Sequence, residues 1–320
     1  MINYIFNFFI GIALFIFGMN NLTNGLKKSN KNKIEKIIRK ASGKVKGVLW
    51  GTLITALIQS SSFITVLLVG LVDSGIMTIN NTIGLIMGSN IGTCITSWII
   101  SISSLNKDVL SIFSLDSLLG IFASIALLFL ITKRHNKANI IFGLLTLILG
   151  MNLMTKSMAP LANFPFFQKI ITYLSNPILG LILGIILTGI FQSSSLIIGI
   201  LEGLALNVNI SFLAGYTLIL GSNIGTCVTA IIASTTTNKN SKIVSMFHLV
   251  FNIVGTLIFL IGFYILNYFL KFSFTYQNIN AFQIALIHTV FNLGSTIILL
   301  PFTNQLINIS KKLIKEKRHN

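Results

Sequence analysis

Nine apolar runs, each long enough to approach the ~30 Å of a bilayer core, alternate along the chain with short polar connections. They fall near 3–22, 47–72, 79–104, 117–132, 138–155, 178–205, 209–236, 243–270 and 279–305. Each predicts a membrane helix. The first lacks a basic leading segment and a small-residue cleavage site, so it predicts a helix of the mature chain rather than a removed signal. Two runs are interrupted by consecutive polar residues, Gln59-Ser60-Ser61-Ser62 and Gln192-Ser193-Ser194-Ser195.

These interruptions are copies of each other. A shift of 133 residues lays Gln59–Ser62 on Gln192–Ser195, and Gly88-Ser-Asn-Ile-Gly-Thr-Cys94 on Gly221-Ser-Asn-Ile-Gly-Thr-Cys227. The same shift carries Gly47, Gly51 and Thr55 onto Gly180, Gly184 and Thr188. A weaker echo, shifted by 132, links Phe17-Gly-Met-Asn20 to Leu149-Gly-Met-Asn152. Two motifs at one spacing mark an internal duplication. The expected division is 1–132 for the first repeat, 133–270 for the second and 271–310 for an extra C-terminal membrane helix, with 311–320 a basic cytoplasmic tail.

Composition agrees with a membrane chain: 53% of residues are hydrophobic and 9% charged, with a mean hydropathy of +0.87. Too little charge is present to cover a soluble surface. The net charge of +17 would suit nucleic acid, but its distribution excludes that partner. Of 23 Lys and Arg, 19 sit in four clusters: Lys27–Lys46, Lys133–Lys137, Lys239 with Lys242, and the stretch after Ser310. Lys107, Lys156, Lys169 and Lys271 are the others. If one segment per repeat enters and leaves on the same side, each repeat crosses three times and the second is inverted. All four clusters then face the cytoplasm, as the positive-inside rule requires. The N-terminus is expected outside and the C-terminus inside. Either the Gln-Ser segment or the Gly-Ser-Asn segment satisfies these charges as the re-entrant piece. The fold expected is an all-α integral membrane protein: two inverted-topology repeats with broken or re-entrant helices, plus one further helix.

Gly47, Gly51, Thr55 and Gln59 are spaced by four and share one helix stripe, as do Gly180, Gly184, Thr188 and Gln192. Small residues admit a neighbouring helix, so the Gly and Thr positions read as packing. Three serines suit a helix start or break better than an interior, and broken backbone inside a membrane survives only where it lines a cavity or site. Hydroxyls, amides and freed carbonyls are ligands for an alkali cation, while hydroxyl donors and helix-terminal N–H groups suit an anion. The candidate ligands are Gln59, Ser60, Ser61, Ser62, Ser89, Asn90 and Thr93 of the first repeat, and Gln192, Ser193, Ser194, Ser195, Ser222, Asn223 and Thr226 of the second. Arg39, Arg134, Arg318 and nearly every Lys lie in connections or tails, and none stands inside these motifs. An anion would need a co-bound cation to offset its charge in low dielectric.

These residues resemble the type II sodium–phosphate cotransporter family, its bacterial members in particular. The doubled Gln-Ser-Ser-Ser, the doubled Gly-Ser-Asn-Ile-Gly-Thr and two His-x-x-Phe-Asn sequences, His248–Asn252 and His288–Asn292, carry the resemblance over about residues 5 to 305. It implies Na⁺-driven symport of inorganic phosphate across the cytoplasmic membrane by alternating access, with both Gln-Ser regions contributing to the substrate and Na⁺ sites. Many bacterial relatives add a cytoplasmic domain resembling the phosphate-signalling regulator PhoU. This chain ends at Asn320 without one, which implies a separate PhoU-like regulator or none. The first repeat also lacks a His-x-x-Phe-Asn sequence, so its fourth helix has diverged.

Inorganic phosphate, Na⁺ as coupling ion and membrane lipid are the expected partners, with no cofactor; oligomeric state has no signature here. His248 and His288 could relay protons, but the reading preferred is hydrogen bonding between helices along with Asn252 and Asn292. Glu202, an acid inside a long apolar run, is a candidate for the ion path; its repeat counterpart is Val69. Asp73, Asp108 and Asp116 read as connection residues, and Cys94 and Cys227 as small packing residues. The sparse acids and histidines form no catalytic set, so an enzyme is not expected. A non-transporting phosphate sensor, a channel, and an H⁺-coupled or other-anion transporter are the alternatives.

Overall fold

A computed structural model of the chain describes residues 2–40, 43–104, 115–161 and 176–314, nearly all of them helical. Asp108, Lys107, Lys169 and the tail beyond 314 lie outside the described residues. The helices are α1 (Ile2–Lys40), α2 (Lys44–Ile58), α3 (Ser61–Asp73), α4 (Ile79–Ser104), α5 (Leu115–Ile131), α6 (His135–Leu161), α7 (Pro177–Phe191), α8 (Ser194–Ala205), α9 (Phe212–Gly225), α10 (Cys227–Ser234), α11 (Lys239–Leu270), α12 (Ala281–Leu299) and α13 (Thr303–Leu313). Five stretches are long and apolar enough to cross a membrane: Ile79–Ile102, His135–Met154, Phe212–Ser234, Lys239–Leu270 and Ala281–Leu299. The protein is an all-α multi-pass membrane protein.

Three sequence expectations change in detail. The runs 47–72 and 178–205 are each two short helices, broken at the Gln-Ser motifs. α1 continues well past its apolar part, through much of the first basic cluster. The last run stops at Leu299, ahead of Pro301, because proline cannot donate to the helix. A separate helix, α13, follows; it buries Leu306 and Ile307 and carries Lys311 and Lys312 in its last turn.

Glycine contacts fix the direction of the helices. On α2 and α4, Gly47 meets Gly84, Gly51 meets Leu85, and Gly92 meets Thr52 and Thr55. The two helices therefore run parallel. At 15 and 13 residues, α2 and α3 are only about 22 and 20 Å long, so α3 carries the chain back to where α2 began. The second half repeats this: Gly221 meets Leu181 and Ile185, and Gly225 meets Thr188, making α7 parallel to α9 with α8 returning. An added Cβ on Gly88 would lie 2.1 Å from the Val48 carbonyl oxygen, and one on Gly221 would lie 2.1 Å from that of Leu181. Only glycine permits this approach. In the outer layer α1 and α6 are antiparallel, with Gly11 against Gly150 and Gly25 against Asn136.

These contacts bring the basic clusters to one end. Gly25 puts the start of the first cluster beside Asn136 of the second. The Lys44 ammonium donates to the Asn304 amide oxygen of α13 at 3.3 Å. Asp73, at the end of α3, accepts from the backbone N–H of Asn238 at 2.8 Å and from the Ser241 hydroxyl at 3.4 Å, next to Lys239 and Lys242. It thus ties the end of α3 to the start of α11 rather than standing idle in a connection. The other end is closed by a short bridge in which Ile279 N–H donates to the Ile210 carbonyl at 2.9 Å and Phe212 N–H to that of Gln277 at 3.0 Å.

α12 is more than an appendage. Cys94 on α4 donates to the His288 carbonyl and accepts from the Asn292 amide, both at 3.4 Å. Cys227, at the start of α10, does the same with His248 at 3.5 Å and Asn252 at 3.4 Å. α12 thus gives α4 the His-x-x-Phe-Asn face that α11 gives the α9–α10 pair, and α5 lies against α6 instead.

Candidate functional site

Both Gln-Ser motifs fold in the same way. Gln59 ends α2 in the left-handed region (φ 59°, ψ 31°), and Gln192 ends α7 there (φ 54°, ψ 27°). Glycine is the ordinary residue at such a position, and any other costs about 1–2 kcal/mol. Both tips thus place a glutamine where the backbone would favour glycine. The next serine is extended and caps the following helix: Ser60 Oγ accepts from Phe63 N–H at 3.3 Å, and Ser193 Oγ from Leu196 N–H at 3.2 Å.

The tips meet. The Ser62 hydroxyl donates to the Gln192 carbonyl oxygen at 3.1 Å. Between them lies a polar cavity of about 260 Å³, lined by Gln59–Ser62, by Phe191–Ser195, and by Asn20 and Asn24 of α1. All eight residues of the two motifs reach it. Among the described residues, no Lys or Arg lines it. Positive character comes instead from the first turns of α3 and α8, whose N–H groups and dipoles begin at the cavity, each equivalent to about half a charge. Asn20 and Asn24 were not singled out from the sequence. The signal for Asn20 was present in the echo Gly18-Met19-Asn20 against Gly150-Met151-Asn152.

The Gly-Ser-Asn-Ile-Gly-Thr residues sit elsewhere. Ser89, Asn90, Thr93, Ser222, Asn223 and Thr226 are buried in α4 and at the α9–α10 junction and do not line the cavity. The hydroxyls of Ser89, Thr93, Ser222 and Thr226 bond to carbonyls of their own helices at 2.8–3.0 Å. The glycines of the motif serve helix contact, against α2 and α7. Asn90 bridges between halves: its amide donates to Asn252 Oδ1 at 2.9 Å, and its oxygen lies 3.3 Å from His248 Nε2. Asn223 folds back on the Ile219 carbonyl at 2.9 Å. Both ring nitrogens of His288, and Asn292 Oδ1, are buried without a partner. Hydrogen bonding between helices thus describes the His248 ring; His288 takes part through its backbone carbonyl alone. Glu202 is fully buried on α8, its carboxylate accepting from the Ser97 hydroxyl of α4.

The sequence profile described as Na⁺/Pi-cotransporter matches residues 14–156 and, a second time, 145–294. The chain belongs to the Na⁺/Pi-cotransporter family. That membership places it among phosphate transporters, and the double match falls on the two halves that carry the hairpins. YqeW of Bacillus subtilis strain 168 is 28% identical over 249 residues, 76% of this chain and 78% of that protein. The putative inorganic phosphate export protein YjbB of Escherichia coli K12 is 23% identical over 255 residues, and the match covers 78% of this chain but 45% of YjbB. The rat sodium-dependent phosphate transport protein 2A is 44% identical over 61 residues, 19% of this chain and 10% of that protein. No solved structure matches the chain.

Proposed function

We propose that this protein carries inorganic phosphate across the cytoplasmic membrane in symport with Na⁺, using the cavity between the two hairpin tips as its substrate site. The observation that carries this reading is the convergence of two serine-capped helix starts on one polar cavity inside a membrane-spanning bundle. Seryl hydroxyls, glutamine and asparagine amides and first-turn N–H groups are donors for a tetrahedral oxyanion. A volume of about 260 Å³ leaves room for several waters besides, at ~30 Å³ each.

Coupling follows from electrostatics. Two helix dipoles offset part of the anion's charge, and among the described residues no lysine or arginine lines the cavity to offset the rest. A full charge buried without compensation is costly, so phosphate binds together with Na⁺ held by the same hydroxyl, amide and carbonyl oxygens. The topology is an inverted repeat in which the Gln-Ser hairpins are the re-entrant pieces, entering from opposite sides. The basic end faces the cytoplasm, and the N-terminus lies outside. Alternating access then exposes the cavity to either side by movement of one half against the other.

Flux of radiolabelled phosphate in proteoliposomes, loaded with Na⁺ or free of it, tests the proposal, with sulfate and arsenate as competitors. The expected result is phosphate accumulation that follows the Na⁺ gradient and collapses with it. Flux no greater than in empty liposomes overturns the transport reading; flux indifferent to Na⁺ overturns the coupling.

A further inference from the structure

Glu202 has an environment that the phosphate cavity does not explain. It is 0% exposed, and its Oε1 accepts from the Ser97 hydroxyl. Oε2 has no partner. One turn earlier on α8, Gly199 packs on the apolar side chains of Phe15 and Ile100. Ionisable side chains on the helices packed against α8 do not serve it. Cys94 faces His288 and Asn292, Tyr216 donates to the Phe259 carbonyl, and His288 has no partner at either nitrogen. Tyr4 and Lys28 of α1, and His135, Lys137 and Lys156 of α6, are exposed. Among the described residues none forms an ion pair with the carboxylate.

The duplication makes the position informative. Ser89, Thr93, Ser97 and Ser101 repeat every four residues along one buried face of α4, running from the Asn90 motif to Glu202. The matching row in the second half is Ser222, Thr226, Ala230 and Ser234. The hydroxyl that touches Glu202 is thus the one replaced by alanine, and Glu202 itself is replaced by Val69 in the other hairpin. Both members of the pair occur together in one place and are both apolar in the other.

We propose that Glu202 and Ser97 form a site for a single positive charge, Na⁺ or H⁺, separate from the hairpin cavity and present once per molecule. A bare carboxylate sealed away from water without an ion partner is unfavourable, and an intramembrane acid on a row of hydroxyls is a place for an ion to be taken up and released. Its partner is defined by charge. Na⁺ would be held by the carboxylate and the Ser97 oxygen, H⁺ by the free Oε2. The proposal deepens the coupling part of the transporter reading, yet its binding test requires no phosphate.

Two measurements on the purified full chain, both without phosphate, decide it. One is saturable binding of radioactive Na⁺ to wild type, E202Q and the double variant S97A/E202V, which rebuilds the apolar pair of the other half and so guards against misfolding of E202Q. The other is the infrared difference spectrum between wild type and the variants in the region of the protonated carboxyl stretch. Loss of one bound Na⁺, or at least a tenfold weakening, in both variants identifies Na⁺ as the occupant. Unchanged Na⁺ binding with a protonated carboxyl band present only in wild type identifies the proton. Unchanged Na⁺ binding with no such band overturns the site. If the variants lose the cation while wild type moves no phosphate, the transport reading fails and the cation site stands.

Discussion

At the first hairpin tip the Gln59 side chain is buried and its Oε1 accepts from the Thr96 hydroxyl of α4 at 2.6 Å. At the second tip Gln192 is exposed, and Thr229, which holds the place of Thr96, donates to the Thr226 carbonyl at 3.0 Å. The same contrast recurs one layer deeper. Asn90 is joined to Asn252 and His248, whereas Asn223 bonds only within its helix and leaves His288 and Asn292 Oδ1 without partners. Backbone angles at the two tips agree within a few degrees. Local sequence therefore sets the shape of a tip, and its relation to neighbouring helices decides which partners its side chain finds. One chain holds both a tied and an untied version of one motif.

The largest effects are expected where the two halves do not differ. G88A and G221A each force a Cβ to within 2.1 Å of a backbone oxygen. Both should cost about 3 kcal/mol or more, read as loss of folded protein or a lower unfolding midpoint in detergent. Gly70 has nothing within 4 Å of an added Cβ, and G70A should be neutral or stabilising by up to ~1 kcal/mol. A harmless G221A beside a damaging G88A would break the equivalence of the hairpin contacts. Next come N90A and N223A. Removing Asn90 strands Asn252 Oδ1 and the His248 ring nitrogen, at about 1–3 kcal/mol. Removing Asn223 deletes one bond within a helix and should cost less than about 1 kcal/mol. Equal losses in thermal unfolding would remove the asymmetry from the comparison.

Legibility in the sequence followed the same division. The helix breaks at the Gln-Ser motifs were readable because a serine run after a small-residue stripe has few meanings inside oil, and the duplication supplied a second copy. Which segment reverses was not readable, since either choice satisfies the charges; contacts such as Gly47 with Gly84, which make α2 and α4 parallel, are what favour the Gln-Ser segments. Gln59–Ser62 and Gln192–Ser195 were readable as one cavity. The Gly-Ser-Asn-Ile-Gly-Thr residues carry equally polar letters, yet they face α2, α7, α11 and α12. Composition cannot distinguish a glycine that admits a ligand from one that admits a helix. Asn24 was hidden because a single asparagine in a helix has many uses, and Asn20 showed only through its weak echo with Asn152. The role of α12 was hidden because it lies far from α4 in sequence.

A smaller effect is expected at the cavity itself. Ser61 and Ser194 are buried to similar degrees, and both line it. S61A and S194A should each weaken phosphate binding about tenfold, or ~1.4 kcal/mol, measured by concentration dependence of flux, without changing the unfolding midpoint by more than about 0.5 kcal/mol. Both substitutions passing without effect would exclude these hydroxyls from the phosphate site. A loss confined to one of them would extend the asymmetry of the tips to the substrate.

The smallest effect probes the tie itself. Thr96→Val keeps the shape of the side chain and deletes the donor to Gln59 Oε1, leaving that buried oxygen without its hydrogen bond at a cost of about 1 kcal/mol. Thr229→Val deletes only a bond within α9–α10 and should stay within about 0.5 kcal/mol. If the tie at Gln59 is what separates the two tips, T96V should make Gln59 as accessible as Gln192. Cysteine substitutions at the two glutamines, labelled with a water-soluble thiol reagent in a background where Cys94 and Cys227 are replaced, would show it. The cysteine at 59 should react several-fold more slowly than the one at 192 only if the whole tip, and not the amide alone, is held in. Equal reactivity would confine the asymmetry to the Gln59–Thr96 hydrogen bond, and the unfolding difference between T96V and T229V would then be its full measure.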